Sequence, residues 1–150
     1  MTGFEHPLAR AALKEVVELH AFFEAWLGGT GPCTGAAFAR LEEALAESFS
    51  MVSPDGKRLA RAEVIAQLRQ AYGSRGRAGR LRMAILEPEV LVLDPPVVII
   101  GYVEEQDTNG ALTRRRSTAV LGAAVQDAGR LRWLALHETW IENPATAALP

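Results

Sequence analysis

Residues Arg80–Glu142 read RLRMAILEPEVLVLDPPVVIIGYVEEQDTNGALTRRRSTAVLGAAVQDAGRLRWLALHETWIE. This is strand, turn, strand, turn, with little that favours helix. In Arg80–Leu86, Arg80 and Arg82 alternate with Leu81, Met83 and Ile85, the period of a strand with two unlike faces. Glu89–Leu93 and Val97–Glu104 flank Asp94-Pro95-Pro96. Asp107-Thr108-Asn109-Gly110 is a hairpin turn, with Asn-Gly as its strong signal. Leu112–Gln126 and Arg130–Ile141 then pair across Asp127-Ala128-Gly129.

Almost everything before Phe49 reads as helix. Thr2 and Glu5 have capping-box spacing, and Leu8, Ala12, Val16, Leu19, Phe23 and Trp26 recur at helical spacing. One amphipathic helix is predicted from Phe4 to Leu27, ended by Gly28, Gly29, Gly31 and Pro32. Thr34 is the expected N-cap of a second helix that gives way near Glu47. Ser48–Val52 is a short strand stopped by Pro54-Asp55-Gly56, and Arg58–Tyr72 returns to helical spacing. Helices followed by a long antiparallel meander predict an α+β fold, with three helices over one face of a curved sheet. Residues 1–142 are expected to form one domain, with 143–150 as a frayed tail.

The composition narrows the partners. A net charge of −2 gives no reason to expect nucleic acid or an anionic membrane. No apolar run reaches the ~18–20 residues that span a bilayer. The bases are almost all Arg, with Lys only at 14 and 57, which reads as the composition bias of a high-GC bacterial genome. No signal peptide is visible, so a cytoplasmic protein is expected. Cys33 is alone, and His6, His20 and His137 fall in separate elements without ligand spacing, so neither metal nor cofactor is expected.

Val97-Val98-Ile99-Ile100 is apolar on both faces, and so is the last strand, with Leu134 and Leu136 on one side and Trp133 and Ala135 on the other. Helices cover only one face of such a sheet. A second copy of the chain is the expected cover of the other, giving a homodimer through the sheet face.

Two segments carry a family resemblance: Phe38-Ala-Arg-Leu-Glu-Glu-Ala-Leu-Ala-Glu-Ser-Phe-Ser-Met-Val-Ser-Pro-Asp-Gly56 and Arg132-Trp-Leu-Ala-Leu-His-Glu-Thr-Trp140. With the element order, they make the chain resemble the nuclear transport factor 2-like superfamily, whose cone-shaped fold includes ketosteroid isomerases and SnoaL-like polyketide cyclases. The likeness is nearest to an uncharacterised branch with a Phe-Ser/Thr-x-Val/Ile-x-Pro-x-Gly segment and a closing Trp-x-x-x-His strand. The resemblance implies a conical pocket between sheet and long helix, often with an Asp, Glu or His inside. It implies a small, mostly apolar organic ligand, bound with or without catalysis of the SnoaL or isomerase kind. The alternative is a non-catalytic dimerisation or assembly domain, because one fold hosts many functions.

On the last strand, Leu134, Leu136, Glu138 and Trp140 share one face, and Trp133, Ala135, His137 and Thr139 share the other. Taking the Leu134 face as concave makes Glu138 the candidate acid or base, with Leu136 and Trp140 beside it. The opposite choice would substitute His137. A bland reading puts Glu138 at an exposed strand end beside an Arg. Arg115 and Ser117 share a face of the partner strand and suit a carboxylate or enolate oxygen, although the Arg114–Arg116 run also reads as a solvated rim. Tyr102 offers a phenol. Phe22, Trp26 and Phe49 read first as core and second as cavity lining.

Overall fold

The computed structural model describes residues 3–76, 80–123 and 130–142. Helix α1 (Pro7–Gly28) is capped by His6, whose Nδ1 accepts from the Leu8 amide at 3.0 Å, with Pro7 in the first turn. The expected start at Phe4 is therefore early by about a turn, and Thr2 lies outside the described residues. Its buried stripe is Ala9, Ala12, Val16, Leu19, His20 and Trp26. Helix α2 (Gly35–Ala44) begins as expected, with Thr34 Oγ1 accepting from the Ala37 amide at 3.1 Å.

Helix α2 ends before Glu47, because Leu45 already enters the sheet as the first residue of β1 (Leu45–Val52). The Arg61 guanidinium covers that junction, donating to Leu45 O at 3.2 Å and Glu42 O at 2.8 Å. After the Pro54-Asp55-Gly56 turn, β2 (Arg58–Ala60) pairs back on β1, and only then does α3 (Arg61–Gln70) start. The helix expected from Arg58 is thus shorter at its N-terminus. Hairpin pairing claims three residues whose periodicity reads as helical.

Strand β3 (Leu81–Asp94) is continuous rather than two pieces. It absorbs Pro88 in a register shift between Leu86 and Glu89, where Glu87 adopts φ 50°. Strands β4 (Val97–Thr108), β5 (Ala111–Ala123) and β6 (Leu131–Glu142) complete the meander. Asn109 and Gly110 both have positive φ, 55° and 90°, as a type I′ turn requires. The expected Asp127-Ala128-Gly129 turn and the tail from 143 lie outside the described residues.

The strand order is β2-β1-β6-β5-β4-β3, with β1 parallel to β6 and every other neighbouring pair antiparallel. The result is an α+β fold whose mixed sheet is curved but not closed. Core-facing residues are Val98, Ile100, Tyr102, Glu104 and Gln106 of β4 and Ser117, Ala119 and Leu121 of β5. Strand β6 corrects the simple alternation. Val120 pairs with Ala135 but Leu121 with Trp133, so Leu134 is an extra residue. This bulge turns Trp133 into the core, 1% exposed, while leaving Leu136 and Glu138 inward as well.

Loop 73–76 docks on the end of α1. The Gly73 and Arg75 amides donate to Trp26 O and Leu27 O at 2.9 and 2.8 Å. A Cβ on Gly76 would sit 2.3 Å from Gly28 O, so the approach requires glycine. The docking holds Arg75 over the sheet. Among the described residues, no helix is long and apolar enough to cross a membrane.

Candidate functional site

Between α1, α3 and the concave sheet lies a cavity of about 350 Å³. Most of its wall is apolar, including Phe23, Phe49, Met51, Trp133 and Leu136. Its polar lining is concentrated in His20, Glu104, Gln106, Arg115, Glu138, Arg75 and Gln67. A larger groove of about 630 Å³ beside Glu24, Arg82 and Asp107 has only exposed or half-buried charges.

His20 is the centre of the polar wall. Its Nδ1 lies 2.7 Å from Val16 O, which can only accept, so Nδ1 carries a hydrogen. Its Nε2 lies 2.8 Å from Glu104 Oε1, and both side chains are almost fully buried. Burial opposes both charges, but the pairing outweighs it. The hydrogen bond and charge of Glu104 raise the His20 pKa. Burial likewise opposes ionisation of Glu104, but His20, Arg115 and Gln106 together hold it well below the usual carboxylate range. The pairing favours the imidazolium and the carboxylate over their neutral forms.

Glu138 is the opposite case. It is 5% exposed, and burial first, then the charge of Glu104, push its pKa up to about 7. Arg115, Ser117 and His20 oppose that rise without cancelling it. Ser117 Oγ donates to Glu138 Oε2 at 3.0 Å and fixes the carboxyl group. Arg115 lies between the two carboxyls, with Nη1 3.5 Å from Glu138 Oε1 and Nε 3.7 Å from Glu104 Oε2. Its guanidinium also rests 4.7 Å from the Trp140 ring centre.

Of the residues singled out in the sequence, Phe49, Leu136, Arg115 and Glu138 meet at the cavity. The others sit elsewhere for identifiable reasons. His137 is exposed on the convex face, because it neighbours the inward Glu138. Ser117 and Tyr102 are buried beneath the wall rather than on it. The Tyr102 hydroxyl has no hydrogen-bond partner among the described residues, and burial raises its pKa well above its ordinary value. Trp140 is a rim residue whose Nε1 donates to Asp55 Oδ1 at 2.9 Å, tying the β1–β2 turn to β6. Phe22 stacks on Trp26, which donates to Leu68 O at 2.6 Å, so both are core; the cavity aromatic on α1 is Phe23, beside His20. His20, Glu104, Gln106 and Arg75 were not foreseen. Among the described residues, no group of His, Cys, Asp and Glu is arranged to hold a metal ion.

No protein-family model and no curated protein matches the chain. Solved structures do. The association domain of CaMKII from C. elegans is 16% identical, with TM-score 0.57, over 87% of this chain and 96% of that one. A ketosteroid isomerase candidate from Shewanella frigidimarina is 14% identical, with TM-score 0.65, over 91% and 98%. At such identities the likeness shows the fold alone. A nuclear transport factor 2-like protein of unknown function from Pseudomonas aeruginosa is 30% identical, with TM-score 0.78, over 88% of this chain and 99% of that one. At that identity, and over nearly the whole of that protein, the chain belongs to the nuclear transport factor 2-like family.

Proposed function

We propose that the protein binds a small, mostly apolar organic molecule in the cone and exchanges a proton with it through Glu138. The observation that carries this reading is a buried carboxyl with a pKa of about 7, on the wall of a largely apolar cavity. A group titrating there is present as both acid and base at neutral pH. Proton transfer at a carbon beside a carbonyl fits the geometry. Glu138 takes the proton, Arg115 faces the oxygen as it gains charge, and the proton returns from Glu138 to the ligand. Ser117 orients Glu138, and the His20–Glu104 pair holds Arg115 in place. The test is saturation-transfer NMR with acetophenone, followed by deuterium uptake at its methyl group in D2O. Binding lost in the cavity-filling variant Leu136→Trp, and exchange lost in Glu138→Gln, are expected. Exchange that persists in Glu138→Gln refutes the role of that carboxyl.

We also infer a homodimer, independently of any chemistry. Ile99, Val120 and Ala135 lie in cross-strand register on the convex face, an apolar row half-open to solvent in one chain. Association domains among the structural neighbours support self-association. If the cone held no ligand, this face would favour an assembly role.

A further inference from the structure

Among the described residues the cavity wall carries two permanent cations, Arg75 and Arg115, and two carboxyls, Glu104 and Glu138, with His20 held toward its charged form by Glu104. The balance is positive whenever Glu138 holds its proton. The two guanidiniums are also poorly matched within the chain. Arg75 donates to neutral acceptors, Gln106 Oε1 at 3.1 Å and Thr108 Oγ1 at 2.9 Å. Arg115 Nε is buried without a hydrogen-bond partner among the described residues, 3.7 Å from Glu104 Oε2, and its Nη1 makes only a long hydrogen bond, 3.5 Å, to Glu138 Oε1. Removing cations from water without close, hydrogen-bonded counter-ions is costly. A planar guanidinium fork is satisfied best by a carboxylate.

The two arginines are neighbours along one wall. Arg75 bonds Gln106, Gln106 donates to Glu104, and Arg115 lies beside Glu104. Glu104 and Gln106 are two residues apart on the inward face of β4, and both guanidiniums line the same cavity. The remaining wall is apolar. At about 30 Å³ per water-sized group, the volume suits roughly a dozen non-hydrogen atoms.

We propose that the ligand of this cavity is a small organic acid with an apolar body, bound as its carboxylate against Arg115 and Arg75. The proposal rests on the reading of the cone as a ligand site and names the ligand's chemical class. The acid supplies a further counter-ion to the two guanidiniums, and the hydrocarbon body replaces water against Phe23, Phe49 and Leu136.

Calorimetry with phenylacetate, its neutral isostere phenylacetamide and acetophenone tests this on the wild-type protein. Phenylacetate is expected to bind at least about tenfold more tightly than the amide, the scale of a charge-assisted hydrogen bond. Arg115→Gln and Arg75→Gln, each checked for native folding by circular dichroism, are expected to reduce that preference. Amide or ketone binding as tightly as the acid overturns the proposal while leaving the cone as a ligand site. No binding of any of the three at millimolar concentration overturns both. Undiminished preference for the acid in both variants removes the arginines from the account.

Discussion

Replacing Glu138 by Gln isolates the cost of its buried charge. Gln has nearly the same shape, can still accept from Ser117 Oγ, and never ionises. The folded carboxyl titrates at about 7 against an ordinary value of 4.5. A carboxyl whose pKa is raised on folding contributes fully below its unfolded pKa, and that contribution is lost as pH rises through the folded value. At about 1.4 kcal/mol per pH unit, the gap corresponds to roughly 3 kcal/mol. Wild type and Glu138→Gln should therefore differ little below pH 4.5. Between 4.5 and 7 the variant should gain progressively on the wild type, levelling roughly 3 kcal/mol higher above pH 7. Urea unfolding of both proteins at half-unit pH steps measures this directly, since groups common to both largely cancel in the difference. A stability difference that stays flat across that window refutes the reasoning, as does one that favours wild type above pH 7.

Two other perturbations test separate parts of the account. His20→Leu strips Glu104 of its imidazolium in a nearly dry site, and should cost about 3–5 kcal/mol in urea unfolding; adding Glu104→Gln should recover part of that loss, and no recovery would show that the unpaired carboxylate is not the cause. Ile99→Arg places a charge at the centre of the apolar convex row. On the proposed homodimer, wild type should run as a dimer in sedimentation velocity and the variant as a monomer; a dimeric variant would place the interface elsewhere, and a monomeric wild type would refute the dimer.

Much of this architecture can be read from residues alone, because its signals are local. Asn109-Gly110, Pro54-Asp55-Gly56 and the Thr34 cap each act within four residues, and all three recur in the structure. The inward side of Glu138 follows from alternation once the Leu136 face of β6 is taken as concave. The bulge at Leu134 has no Gly or Pro to announce it, so Trp133 reads as convex although it is core. Strand β2 is hidden because the helical spacing of α3 extends back through Arg58–Ala60. Phe22 and Phe23 differ by one helical step, and only the packing of Trp26 decides which faces the cone.

The missed centre of the site was partly legible. His20 follows Leu19 on the buried stripe and sits four residues after Val16, the spacing that lets its ring reach that carbonyl. Continuing the alternation of Val98, Ile100 and Tyr102 through Glu104 and Gln106 places both polar side chains inward. Charge at those positions reads as an approach to the hairpin rather than core, because an unpaired Glu would not be buried. Its partner comes from α1, 84 residues away in sequence, and no local pattern announces a contact of that span.

The most direct test of the central claim is a carbon-13 NMR titration of the protein labelled at its glutamate side-chain carboxyls, with Glu138 assigned by comparison with Glu138→Gln. A midpoint near pH 7 that shifts when phenylacetate or acetophenone is added is the predicted result, because the same carboxyl is buried and faces the ligand. A midpoint in the ordinary carboxylate range of about 4–5, with no response to either compound, would contradict the account of the cone as a proton-exchanging ligand site.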